Sequence, residues 1–103
     1  MNIDEYAEWA RNVDPVKTTS DATEAHLAVL GLSFMGDAGE VADLLAKRVR
    51  DGTLDRDHLA YELGDVAYHW ARVCALTGIA PSELLERSRR NIEARQAKRA
   101  QGS

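Results

Sequence analysis

The sequence predicts an all-α fold, and three observations carry that prediction. Apolar residues recur at steps of three and four through every long segment. No segment shows the period-two alternation of a half-buried strand, and there is no repeat of solenoid length. Turn signals fall where the helical patterns stop: Val13-Asp14-Pro15, Asp51-Gly52, and Gly78 ahead of Pro81. The architecture expected is a helical bundle built on a long helical hairpin, with a short N-terminal helix and a C-terminal helix. It is four-helix-bundle-like and completed by oligomerisation. At 103 residues the chain is a single domain, residues 1–99, with 100–103 as a frayed tail.

The first helix runs from Ile3 to Asn12 and carries Tyr6 and Trp9; Pro15 forces Asp14 away from helical angles and closes it. A polar connector, Val16 to Thr19, leads to Ser20 or Asp21 as N-cap, with Glu24 placed for a capping box. A long helix then extends to about Arg50 on the stripe Leu27, Leu30, Phe34, Ala38, Val41, Leu45 and Val49. Gly31, Gly36 and Gly39 interrupt it, each costing about 1 kcal/mol relative to Ala. Clustered glycines point to a break, a kink, or the close approach of another backbone or a ligand. Asp55 or Asp57 caps the next helix, whose stripe is Leu59, Leu63, Val66, Trp70, Val73 and Thr77, and Gly78 ends it. Pro81 opens the last helix, with Glu83 and Glu86 near its positive end.

Composition narrows the function classes. There is no apolar run of about 18 residues, so no membrane span is expected. The acidic start, Met1-Asn2-Ile3-Asp4-Glu5, lacks the shape of a signal peptide. A single cysteine, Cys74, sits in an apolar stripe as a small buried hydrophobe, which fits a cytoplasmic setting. The net charge of −4 hides an asymmetry, because Arg87, Arg89, Arg90, Arg95, Lys98 and Arg99 all lie at the C-terminal end. That basic end suits a solvated helix face near a helix C-terminus, and one or two of its residues can reach a substrate's phosphates. The acidic remainder argues against nucleic-acid binding.

Two short acidic motifs hold the chemistry: Asp37-Ala-Gly-Glu40 and Glu62-Leu-Gly-Asp65. Each places two carboxylates at i and i+3, on one face of a helix. Asp37 lies beside Phe34 and Val41, and Glu62 between Leu59 and Val66, at the edge of the apolar stripes. Ordinary surface acids lie opposite the stripe, as Glu24, Asp43 and Asp57 do. Packed side by side, the two helices gather four like charges that repel in a partly buried site. A hard divalent cation held by Asp37, Glu40, Glu62 and Asp65 resolves that repulsion, and such sites serve phosphate chemistry. The alternative is a set of helix-surface acids bridging to Lys47, Arg48 or Arg72.

Gly31-Leu32, the run Gly36 to Leu45, and Glu62-Leu63-Gly64-Asp65-Val66 resemble the MazG-type nucleoside triphosphate pyrophosphohydrolases. The signature of that family is ExxE, a spacer of roughly a dozen to thirty residues, then ExxD. Here 21 residues separate Glu40 from Glu62. The similarity extends from Tyr6 to about Asn91, with one departure: Asp37 stands where the first glutamate belongs. The resemblance implies an all-α fold, a homo-dimer or dimer of dimers, and Mg²⁺ (or Mn²⁺) as cofactor. It implies hydrolysis of a nucleoside triphosphate to the monophosphate and pyrophosphate, with Glu40, Glu62 and Asp65 as the catalytic carboxylates and one glutamate as the base. Lys47, seven residues after Glu40, matches a family lysine, and Asn91 a family asparagine near metal and phosphates. The family's following lysine is absent, Ala94 standing there, so Arg95 or Lys98 is the substitute.

Trp9 is the candidate wall for a nucleobase, whereas Trp70 lies on the stripe and reads as core. His69, four residues after Asp65, fits helix packing or a subunit contact, then a substrate contact. Two other functions fit the same motifs. Tyr68-His69 after Asp65 is similar to phosphoribosyl-ATP pyrophosphatase, a relative on the same kind of bundle. A non-catalytic, metal-binding helical dimer is the reading in which Asp37 marks lost activity.

Overall fold

The computed structural model describes residues 1–102; Ser103, the end of the expected tail, lies outside the described residues. Among the described residues there are four α-helices and no strand: α1 (Ile3–Val13), α2 (Glu24–Asp51), α3 (Arg56–Thr77) and α4 (Pro81–Gly102). The helical positions therefore continue past residue 99 to Gly102.

Each boundary has a local cause. Asn2 caps α1, its Oδ1 accepting the Glu5 N–H at 2.8 Å. At the other end, Lys17 Nζ donates to the Arg11 and Asn12 carbonyls at 2.8 and 3.0 Å, satisfying two of the orphan acceptors of the last turn. The second helix starts later than the expected cap at Ser20 or Asp21. Thr23 is the N-cap, and its box partner is His26 rather than Glu24: Thr23 Oγ1 accepts the His26 N–H, and His26 Nδ1 accepts the Thr23 N–H, both at 3.2 Å. Thr18, Ser20 and Asp21 instead bond among themselves in a connector turn. Gly52 closes α2 at φ 80°, in the left-handed region that a side chain disfavours. Asp55, not Asp57, caps α3.

The glycines of α2 do not break it. The helix is continuous through Gly31, Gly36 and Gly39, and a Cβ added at any of them would meet nothing within 4 Å. At 28 residues α2 is roughly 42 Å long.

α3 packs against both α2 and α1, and α1 in turn contacts α4. Small residues let α1 and α3 close up: Ala7, Ala10 and Ala71 form the buried cluster, flanked by Tyr6 and Tyr68. The connector after α1 is tied to α3 by Asp14, which is buried and receives Arg72 Nε at 2.8 Å and Nη2 at 2.6 Å. α4 is anchored at its first turn, where the Asp4 carboxylate accepts the Ser82 N–H at 2.9 Å and its hydroxyl at 2.5 Å.

The predicted stripes are not the core of this chain. On α2 only Leu30 of the stripe is buried, while Val49 is 87 % exposed; on α3 the buried residues are Ala71, Cys74 and Leu76, off the stripe, with Ala71 against α1 and Leu76 beside Leu30 and the connector after α1. Cys74 is buried as expected, and burial pushes its thiol up. Trp70 is only half-buried. Phe34, Val41, Leu59, Val66, Trp70 and Val73 of the stripes are half-buried, and Leu27, Leu45, Val49 and Leu63 are exposed. The molecule is accordingly extended, with a radius of gyration of 16.7 Å where a compact domain of this length has about 13 Å.

Candidate metal centre

Three of the four motif carboxylates converge. Asp37 projects from α2 toward α3, where Glu62 and Asp65 sit one turn apart. One oxygen from each lies within 4.8 Å of the others, and all three side chains are partly buried. The arrangement follows from i,i+3 spacing on α3 and from Asp37 occupying the face of α2 that α3 packs against. Glu40 does not join them. It is exposed on α2, one turn beyond Asp37, and lies outside the group.

The negative charge of the centre is offset, among the described residues, only by histidines. Asp37 Oδ2 is fully buried and makes no hydrogen bond. His69 Nδ1 lies 2.5 Å from it as an ion-pair partner, and also 3.1 Å from the Asp65 carbonyl. With His69 as its one close partner and no hydrogen bond, this oxygen can take a cation as a further partner. His58 Nε2 lies 3.3 Å from Glu62 Oε1. Among the described residues, no lysine or arginine pairs with the three acids.

The donor set fits a hard divalent cation. Carboxylate oxygens from two rigid helices, with room for waters on the open side, are what Mg²⁺ or Mn²⁺ accepts. Mg–O distances near 2.1 Å put opposite ligands about 4.2 Å apart, so the 4.8 Å spread needs only a small closure.

The remaining candidates are placed differently. Lys47 pairs with Asp43 at 3.2 Å on the exposed face of α2. Asn91 and Arg95 lie on α4, in a shallow groove with Arg87 and Ser88, and no hydrogen bond or ion pair among the described residues joins them to the acids. Trp9 is half-exposed and belongs to a run of rings that leads to the centre: Tyr6–Trp9 at 5.5 Å, Trp9–Tyr68 at 6.0 Å, Tyr68–His69 at 5.4 Å. The Asp37–His69 contact across two helices was not legible from the sequence, although His69 lies one turn from Asp65 on the same face.

No family model matches the chain, and no curated protein or solved structure matches it either. Among the described residues no helix is long and apolar enough to cross a membrane.

Proposed function

We propose that this chain is a divalent-metal-dependent nucleoside triphosphate pyrophosphohydrolase of the MazG type, cytoplasmic, acting as a homo-dimer or dimer of dimers. One observation carries the reading: Asp37, Glu62 and Asp65 point oxygens into one small volume, and Asp37 Oδ2 is buried there without a hydrogen bond. The resemblance of the two acidic motifs and their spacer to that family supplies the reaction.

Asp37, Glu62 and Asp65 are the residues that hold Mg²⁺ or Mn²⁺. The cation, when bound, supplies charge neutralisation at the phosphate oxygens and a more acidic water. Glu40, exposed at the rim, is the carboxylate left to take a proton from the attacking water. Water adds to phosphorus, a P–O bond of the α–β bridge breaks, and monophosphate and pyrophosphate leave. Trp9, Tyr68 and His69 form the aromatic side of the site, with Trp9 open to stack a base. Lys47, Asn91 and Arg95 are the cations and amide proposed for the phosphates. Oligomerisation is supported by surface area: the chain exposes 7445 Å², against roughly 5,800 Å² for a folded monomer of 11.4 kDa.

The test is a panel of NTPs, dNTPs and phosphoribosyl-ATP with Mg²⁺ or Mn²⁺, scoring pyrophosphate and orthophosphate separately. Pyrophosphate release from nucleoside triphosphates is expected. Exclusive use of phosphoribosyl-ATP moves the protein to the related pyrophosphatase. Aspartate at position 37, where the family has glutamate, favours a second reading, a non-catalytic metal-binding dimer, which metal binding without turnover on any substrate would establish.

A further inference from the structure

The three histidines are held in different ways. His58 and His69 each lie against a carboxylate, 3.3 Å from Glu62 and 2.5 Å from Asp37. Among the described residues His26 has no carboxylate within ion-pair distance. Its Nδ1 instead accepts the Thr23 N–H, while the His26 N–H goes to Thr23 Oγ1, both at 3.2 Å. A backbone N–H only donates, so Nδ1 carries a lone pair and the ring proton sits on Nε2. The reciprocal pair that starts α2 therefore exists only while the imidazole is neutral. Glutamate or glutamine, the usual residues at this place, keep an acceptor where histidine loses it, between pH 8 and pH 5.

Protonation of His26 carries two costs. It sets a second donor against the Thr23 N–H, and it puts a positive charge beside the positive end of α2. The charged groups around the ring do not offset this. His26 shares a cavity of about 210 Å³ with Asp14 and Val16 of the connector, Leu30 of its own helix, and Arg72 and Leu76 of α3. Asp14 and Arg72 are bound to each other at 2.6 Å, so their charges largely cancel toward the ring. Glu24, in the same first turn, and Asp21, in the connector, are exposed and screened by water and salt.

The same pair holds the connector. Residues 15–23 are anchored at their start by the Asp14–Arg72 pair and by Lys17 on the end of α1, and at their end by Thr23 and His26. Thr18, Ser20 and Asp21, between the anchors, bond among themselves.

We propose that His26 is a pH-operated latch at the start of α2. Neutral, it pairs with Thr23, holds the first turn of the helix and walls the cavity over Leu30 and Leu76. Protonated, it releases Thr23, and the first turn and the end of the connector lift from that cavity. The latch lies about 16 Å along α2 from Asp37 and does not depend on the hydrolase reading.

The test is NMR on the ¹⁵N-labelled chain and on His26→Gln, whose side-chain oxygen accepts at every pH. At pH 8 the His26 ring of the unmutated chain should show a bare Nδ1 and a protonated Nε2. From pH 8 to pH 5 the Thr23 and His26 amides should exchange about fivefold faster relative to an unstructured chain at the same pH, the equivalent of one lost cap. That loss should follow protonation of the His26 ring step for step. In His26→Gln the same amides should keep their protection across the range. Shifts around residues 37 and 62–65 belong to His69 and His58 and are not counted. A protonated Nδ1 at pH 8, a ring that titrates without change at Thr23, or an equal loss in His26→Gln overturns the proposal. The tautomer and the coupled loss are both read on the unmutated chain, so they decide even if His26→Gln does not fold.

Discussion

Asp65→Asn removes one charge from the carboxylate group without breaking an ion pair, because the side chain of Asp65 has no basic partner among the described residues. Its nearest charged neighbours are Asp37 and Glu62, with oxygens within 4.8 Å. At an effective dielectric of 20 each such pair repels by about 3.5 kcal/mol. Water and salt reach the open part of this partly buried cluster and reduce the net gain to about 1–2 kcal/mol. Without metal the variant should melt above the unmutated protein, by about 4–8 °C for each kcal/mol. With Mg²⁺ at a hundredfold excess over Kd the order should change, since binding adds about 2.7 kcal/mol to the unmutated protein and far less to the variant. The assay is a thermal melt followed by circular dichroism at fixed protein concentration, with EDTA and then with Mg²⁺ or Mn²⁺. A variant that melts no higher than the unmutated protein in EDTA, with both responding equally to metal, would refute the reasoning.

Other perturbations test the scaffold. Burial pushes the Asp14 carboxyl up, but the Val16 N–H and the Arg72 guanidinium, with the charges of Arg72 and Lys17, hold it below its ordinary value. A depressed carboxylate stabilises fully above its unfolded pKa of about 3.9 and loses that contribution as pH falls through the folded value. Asp14→Ala should therefore cost about 2–3 kcal/mol near neutral pH and progressively less below pH 4 in urea titrations. Ala71→Leu should destabilise by about 1–3 kcal/mol, because Ala71 has no exposed surface and α1 lies directly against it. Gly52→Ala should cost about 1 kcal/mol through its φ of 80°, with no effect on metal binding.

Much of the fold is written locally. Pro15, Gly52, Gly78 and Pro81 punctuate the helices because their backbone chemistry acts without tertiary help. The start of α2 was less legible: Ser20, Asp21 and Thr23 all have capping side chains, and His26 decided among them by accepting the Thr23 N–H, a role usually given to Glu or Gln. The stripes gave the helical period correctly but not the partner, since periodicity marks a face to be covered without saying by which helix. Burial fell instead on Ala7, Ala10 and Ala71, small residues that carry little periodic signal. At the site, spacing placed Asp37, Glu62 and Asp65 on facing sides of two helices. It gave Glu40 the same standing, although that side chain is exposed on α2 one turn beyond Asp37 and lies outside the group. Aspartate at position 37 departs from the family pattern, yet it is the residue the structure draws into the group.

The measurement closest to the central claim is pyrophosphate release from nucleoside triphosphates by the purified chain, with Mg²⁺ and with EDTA, beside Glu62→Ala. Metal-dependent release of pyrophosphate, lost in the variant while its helical circular dichroism persists, is the predicted result. No release with Mg²⁺ or Mn²⁺ on any nucleotide, or release that Glu62→Ala leaves intact, would contradict it.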